Sequence, residues 1–203
     1  VAHHSLRVGV VDSGCQADVG EFDDVHLIDL EDPAGGLLDD NGHGTAVTAL
    51  IAADNDGNSI NGAASRVLGS QLQVGVTGHQ GSTMGSLIAL HRASVDFDAR
   101  VVNASWGMRT NAAAAPRQAE MFRRVFAVAP DTMFVAAAGN DGVEVSETNW
   151  MPQGITADNL VKVGATAHCN ADARWGRCKR QCASTARPPW ACRRLPWVLI
   201  SRL

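Results

Sequence analysis

Three short polar clusters in this chain carry the residue types that acid–base chemistry on a polar bond requires. Asp12 closes the apolar run Val8-Gly9-Val10-Val11 and precedes Ser13-Gly14, so a strand here would deliver its carboxylate to the carboxyl edge of a sheet. Taken alone, it reads better as a turn-forming aspartate before glycine. His43 stands in Asn41-Gly42-His43-Gly44-Thr45, behind the acidic Asp39 and Asp40 and directly before the apolar stretch from Ala46 to Ala53. Glycines on both sides keep the ring approachable, and imidazole is the side chain that exchanges protons near neutral pH. Asn140 follows Phe134-Val135-Ala136-Ala137-Ala138-Gly139, a strand of small residues that leaves a groove and ends on an amide donor. Such a donor can hold negative charge developing on an oxygen in acyl transfer, while an Asn after Gly is also an ordinary turn. His26, His79 and His91 have no such setting and read as surface or helix residues.

The elements that must position these clusters alternate in type. Apolar, β-branched runs at Val8–Asp12, His26–Leu30, Val67–Val74, Val101–Ala104, Met133–Ala137 and Leu160–Val163 predict strands, most of them apolar throughout as in sheets buried on both faces. Between them, Gly44–Ala53, Met84–Phe97 and Ala112–Ala129 predict helices, the last with Arg117, Arg123 and Arg124 on its outer face. The alternation implies an α/β fold with a parallel sheet. In such sheets ligands bind at the carboxyl ends of the strands, where Asp12 and Asn140 fall.

Composition sets the bounds: 203 residues, 45% of them hydrophobic and 19% charged, make one globular domain and exclude disorder of the whole chain. No run of 18 apolar residues occurs and residues 1–15 lack a basic start with an apolar stretch, so neither a membrane span nor a signal peptide is visible. The chain opens at Val1, which points to a segment removed upstream or to a fragment and leaves localisation open. A break in composition falls near His168. Residues 1–168 hold 9 Lys/Arg against 20 Asp/Glu, whereas residues 169–203 hold 8 against 1 and carry Cys169, Cys178, Cys182 and Cys192 with Trp175, Trp190 and Trp197. The expected organisation is therefore a domain over 1–168 and an atypical basic tail over 169–203, read as the product of a shifted frame or a mis-joined segment. Only Cys178 and Cys182 approach zinc spacing, disulfide pairing has no diagnostic pattern, and no recognised module would turn the basic tail toward nucleic acid.

Together the clusters resemble the subtilase (subtilisin-like, peptidase S8) family of serine proteases. Val10-Val11-Asp12-Ser13-Gly14 is similar to its aspartate motif, Asn41-Gly42-His43-Gly44-Thr45 to its histidine motif, and Ala136-Ala137-Ala138-Gly139-Asn140 to its oxyanion segment. Val101-Val102-Asn103-Ala104-Ser105-Trp106-Gly107 is similar to its substrate-binding strand, and Asn61-Gly62-Ala63-Ala64 to its Gly-rich turn; the likeness runs from about Arg7 to about Ala167. The resemblance implies a three-layer subtilisin-like fold with a mainly parallel central sheet, truncated at its C-terminal side. It implies His43 as general base, Asp12 as its orienting carboxylate, Asn140 as oxyanion donor, and Ser105, Trp106, Gly107, Ala137 and Gly139 as substrate-binding residues. It also implies a polypeptide substrate, with no nucleic acid, and favours an extracellular location.

The resemblance stops at the nucleophile. The family's Gly-Thr-Ser-x-Ala motif does not occur in this chain. Ser82, in Gly81-Ser82-Thr83-Met84, precedes the oxyanion segment and is expected to cap a helix; Ser201 has no glycine or helix beside it and is not assigned. The nucleophile is unknown, and the chain as written is expected to be a nearly inactive endopeptidase domain, with a non-catalytic peptide-binding relic or an unstable fragment as the alternatives. The loop Asp54-Asn55-Asp56-Gly57-Asn58 carries oxygen ligands suited to calcium and reads otherwise as a solvated loop, so no cofactor or metal is assigned.

Overall fold

The strand that ends at Asp12, β1 (Leu6–Asp12), is the reference for everything else. The remaining strands are β2 (His26–Asp29), β3 (Leu72–Gly78), β4 (Val101–Ala104), β5 (Met108–Arg109), β6 (Met133–Ala137), β7 (Trp150–Met151) and β8 (Leu160–Val163). Three helices, α1 (His43–Ala52), α2 (Thr83–His91) and α3 (Ala115–Val128), lie between them. This is a computed structural model, and it describes residues 5–32, 37–57, 60–65, 71–78, 81–141 and 143–164. Six strands form one sheet in the order β2-β3-β1-β4-β6-β8, each neighbouring pair parallel, while β5 and β7 form a separate antiparallel pair.

Alternation along β1 builds the layers. Val8 and Val10 bury on one face with Phe22, Ala52, Leu72, Val74 and Val76, whereas Val11 buries on the other with Leu90, Val102, Phe122, Phe126 and Phe134. The first cluster includes Ala52 of α1, and the second includes side chains of α2 and α3, so helices cover both faces and the three-layer α/β arrangement follows. The rings of Phe126 and Phe134 meet at 4.6 Å between centroids with a 50° tilt, joining α3 to the sheet.

Several boundaries differ from those the pattern predicts, each for a local reason. Residues 66–70, the start of the strand expected over Val67–Val74, lie outside the described residues, and β3 instead runs on to Gly78. It continues through Gly75 because the Phe97 ring packs where a side chain would stand, 2.7 Å from an ideal Cβ. The helix expected to reach Phe97 ends at His91 and loosens into a π-helical turn over Arg92–Asp96, with Ser94 Oγ donating to Leu90 O at 2.8 Å. α3 starts three residues later than expected, because the Asn111 side chain accepts from Ala113 N and Ala114 N and holds them in a turn, and Pro116 then enters the first helical turn. Two-residue strands such as β5 and β7 show no periodicity, and nothing in the sequence announces them.

The parallel register brings the exits of β1, β4 and β6 side by side at one edge. Asp12 ends β1, Ser105 follows β4 and Gly139 lies just beyond β6, with Val10 opposite Asn103 and Ala104 opposite Ala136. Chain order reverses between β1 and β4, since β3 joins β1 on one side and β4 on the other, and this switch point is where open α/β sheets bind ligands.

Candidate active site

Asp12 is buried to 2% exposure at the end of β1, and its Oδ1 accepts from Ser13 N at 2.9 Å and faces His43 Nδ1 at 2.6 Å. A carboxylate only accepts, so Nδ1 carries the ring proton and donates it. The second ring nitrogen, Nε2, then keeps its lone pair, and among the described residues nothing hydrogen-bonds to it. The imidazole side chain is 53% exposed, which leaves that lone pair open to a substrate or a hydroxyl group. Asp12 Oδ2 is buried without a hydrogen bond.

His43 is the first residue of α1, after Gly42 in the left-handed conformation (φ 83°). The first N–H groups of a helix need partners outside it, and here each has one. Gly42 N donates to Asp39 Oδ1 at 2.9 Å, His43 N to Asn41 Oδ1 at 3.3 Å, Gly44 N to Ser13 Oγ at 2.9 Å and Thr45 N to Asp39 Oδ2 at 2.9 Å. One of these partners, Ser13, belongs to the exit of β1, so satisfying the helix start also seats it beside Asp12. A reciprocal bond runs from Gln16 N to Thr45 Oγ1 at 2.9 Å.

The two segments also interlock through missing side chains. An ideal Cβ on Gly44 would stand 2.1 Å from Gly14 O, and one on Gly14 would stand 2.1 Å from Leu38 O. Glycine at 44 lets the start of α1 approach the exit of β1 this closely, and glycine at 14 admits the Leu38 backbone beside it. Beneath the joint lies Cys15, fully buried, its thiol pushed up to about 11 chiefly by burial, with the nearby Asp39 charge adding to the effect and the Thr48 and Thr45 hydroxyls opposing it. A thiol held neutral in this way is not a nucleophile at physiological pH.

Across the switch point, Trp106 is half-buried and its indole N–H donates to Val11 O at 2.8 Å, which braces the exit of β4 against the residue before Asp12. Ser105 Oγ bonds to the Asn103 side chain, with Asn103 Nδ2 at 3.0 Å. Gly107 is exposed on one side, and on the other the Gln153 carboxamide occupies the place of a side chain, with Nε2 1.9 Å from an ideal Cβ. Gln153 is 1% exposed and its Oε1 is buried without a hydrogen bond. At the exit of β6, Ala137 is half-buried, Gly139 is left-handed (φ 90°) with open space around it, and Asn140 is exposed.

The structure thus brings Asp12 and His43 into contact and lines up Ser105, Trp106, Gly107, Ala137, Gly139 and Asn140 along the same sheet edge, without a bond between Asn140 and His43. Ser82 caps α2, accepting from Gly85 N at 3.0 Å, as its position before the helix predicts. His26 is exposed at the start of β2, and His91 ends α2 with Nδ1 3.8 Å from Asp96 Oδ2; His79 lies outside the described residues. So do Ser201, the four tail cysteines and Asn58. Asp54 turns its oxygens to backbone N–H donors, Oδ2 to Asp23 N at 2.6 Å and to Asp24 N at 3.2 Å, with Oδ1 3.1 Å from Asp24 N. That arrangement pins a loop. Sequence reasoning missed Asp39, passed over as one of two flanking acids, and Gln153, whose only sequence signal is the glycine it packs against.

A family model described as the subtilase family matches residues 4–190. Among solved structures, the chain is similar to the psychrophilic subtilisin-like protease of the Antarctic psychrotroph Pseudoalteromonas sp. AS-11, with a TM-score of 0.60 and 17% identity over 81% of this chain and 37% of that one. The MycP3 protease of the type VII (ESX-3) secretion system gives 0.58 and 22% over 81% of this chain and 54% of that one. A mutant of the protease domain of PatA gives 0.57 and 21% over 81% and 58%. These likenesses establish the fold, and the chain spans about half the length of the solved structures it matches. No curated protein matches it. With the family model covering most of its length and the sheet and helices agreeing, the chain belongs to the subtilase family of serine proteases.

Proposed function

We propose that this chain is a serine endopeptidase domain acting on extended polypeptides, with His43 as general base and Asp12 as the carboxylate that orients it. The observation that carries the reading is the 2.6 Å contact between His43 Nδ1 and buried Asp12, which leaves Nε2 as the only ring atom able to take a proton. In acyl transfer that proton comes from a serine hydroxyl as it attacks the peptide carbonyl; His43 then returns it to the leaving amine, while Asp12 stabilises the charged ring. Asn140 would donate to the oxygen of the tetrahedral intermediate, and one such donor is worth about 3–4 kcal/mol of transition-state stabilisation. Ser105, Trp106, Gly107, Ala137 and Gly139 would hold the substrate main chain along the sheet edge.

The chain carries no Gly-Thr-Ser-x-Ala sequence, so by itself it is expected to form no acyl-enzyme. A fluorophosphonate probe, which reacts with a serine activated by its histidine, tests this together with a peptidase assay. The expected result is no labelling and no turnover, and peptide binding without turnover would favour a non-catalytic peptide-binding relic. Labelling that maps to Ser82 or Ser201 would overturn the reading of the nucleophile, and a chain that neither binds peptide nor unfolds cooperatively would overturn the reading as a whole.

A further inference from the structure

One bond to Asp12 fixes a single point of the His43 ring. The rest of its geometry depends on where the start of α1 sits relative to the exit of β1. Two hydroxyl groups make that connection: Ser13 Oγ accepts from Gly44 N at 2.9 Å, and Thr45 Oγ1 accepts from Gln16 N at 2.9 Å. Each hydroxyl has a single proton, and both give it to the same carboxylate. Ser13 Oγ donates to Asp39 Oδ1 at 2.8 Å and Thr45 Oγ1 to Asp39 Oδ2 at 2.6 Å. Asp39 further accepts from Asn41 N (3.1 Å) and Gly42 N (2.9 Å) at Oδ1 and from Thr45 N (2.9 Å) at Oδ2. Every one of these groups is a donor, so the site requires a residue with two acceptor atoms and no proton of its own. An asparagine of the same shape would turn an N–H₂ group toward two or more of them.

We propose that Asp39 is a positioning residue of the His43–Asp12 pair: by drawing the protons of Ser13 and Thr45 to itself, it turns each hydroxyl's lone pairs toward the backbone of the opposite segment and so sets the approach of Nδ1 to Asp12. The proposal rests on the reading of His43 and Asp12 as the acid–base pair, and extends it to the group that aligns them. Asp39 touches neither ring nor substrate and acts only through Ser13, Thr45 and the helix start.

The test is the His43 Nδ1–H resonance, observed far downfield in the proton spectrum of the full chain and assigned by its disappearance in His43→Ala. In Asp39→Asn this resonance is expected to vanish into exchange or to move upfield, with smaller movements in Ser13→Ala and Thr45→Val. Asp54→Asn supplies the control, because Asp54 also pins a loop by accepting backbone N–H groups but makes no bond to either segment; it should lower the melting temperature and leave the resonance in place. A folded Asp39→Asn variant with an unchanged resonance overturns the proposal. Should that variant not fold, unchanged resonances in both Ser13→Ala and Thr45→Val overturn it equally. The readout does not involve catalysis, so a chain that never turns over peptide can still pass, whereas absence of any His43-dependent downfield signal in the unmodified protein refutes the paired geometry itself.

Discussion

At the exit of β1 the chain is cross-braced: side-chain acceptors serve the start of α1, two glycines let backbones touch, and a buried carboxylate meets the ring. At the exit of β6, two strands away on the same edge, Ala138 N donates to Val163 O at 2.8 Å; beyond it Gly139 turns through open space, Asn140 is exposed, and Asp141 meets Arg109 at the surface at 3.4 Å. The contrast matches the tasks proposed for the two corners. A general base must be aligned before substrate arrives, because a misplacement of about 1 Å can cost about a hundredfold in rate. The β1 corner is built from atoms of this chain alone, while the β6 corner presents a backbone turn and an amide to whatever enters the edge.

The largest expected effect separates the corners through their glycines. Gly44→Ala drives a Cβ to 2.1 Å from Gly14 O, a backbone atom that cannot step aside, and should cost about 3 kcal/mol in a urea unfolding curve. Gly139→Ala meets nothing within 4 Å and should cost only the left-handed backbone penalty of about 1–2 kcal/mol. Equal losses would break the comparison. A second, intermediate effect lies in acid. Burial alone would raise the Asp39 carboxyl, but the hydrogen bonds from Thr45, Gly42 and Ser13 prevail and hold it well below the usual carboxylate range. A pKa depressed in the folded state stabilises above the unfolded value, near 3.9, and that stabilisation is lost as pH falls below it. Unfolding curves from pH 7 to about pH 2 should therefore show Asp39→Asn about 1–2 kcal/mol less stable than the unmodified chain at neutral pH, the gap holding down to about pH 4 and narrowing only below it. The smallest effect sharpens the picture of the β6 corner. Arg109→Ala removes the Asp141 pair and a 5.2 Å contact of the guanidinium with the Trp150 ring, and since Arg109 is 75% exposed the melting curve should shift by less than about 1 kcal/mol.

Much of this was legible in the sequence, and what was not has a physical reason. The central strands declare themselves by apolar runs, and the residue types at Asp12, His43 and Asn140 point to the proposed chemistry; of the three, the structure brings Asp12 and His43 into contact. Asp39 was invisible because nothing in its type separates it from Asp40; the distinction is that its carboxylate, four residues before His43, reaches back to Thr45 N and across to Ser13. Trp106 is a substrate-binding residue by resemblance, and the sequence does not show that its indole N–H bonds to Val11 O, a partner 95 residues away in the chain. Long-range hydrogen bonds of this kind depend on strand order, and no local pattern encodes that order.

Cys15 gives the joint between β1 and α1 a built-in clock. Its sulfur lies beneath the interlocked glycines with no solvent exposure, and burial keeps it protonated through neutral pH. A reagent can reach it only through an opening of the core around it, so the rate at which this one thiol is alkylated, resolved from the tail cysteines by peptide mass, reports how readily that corner opens.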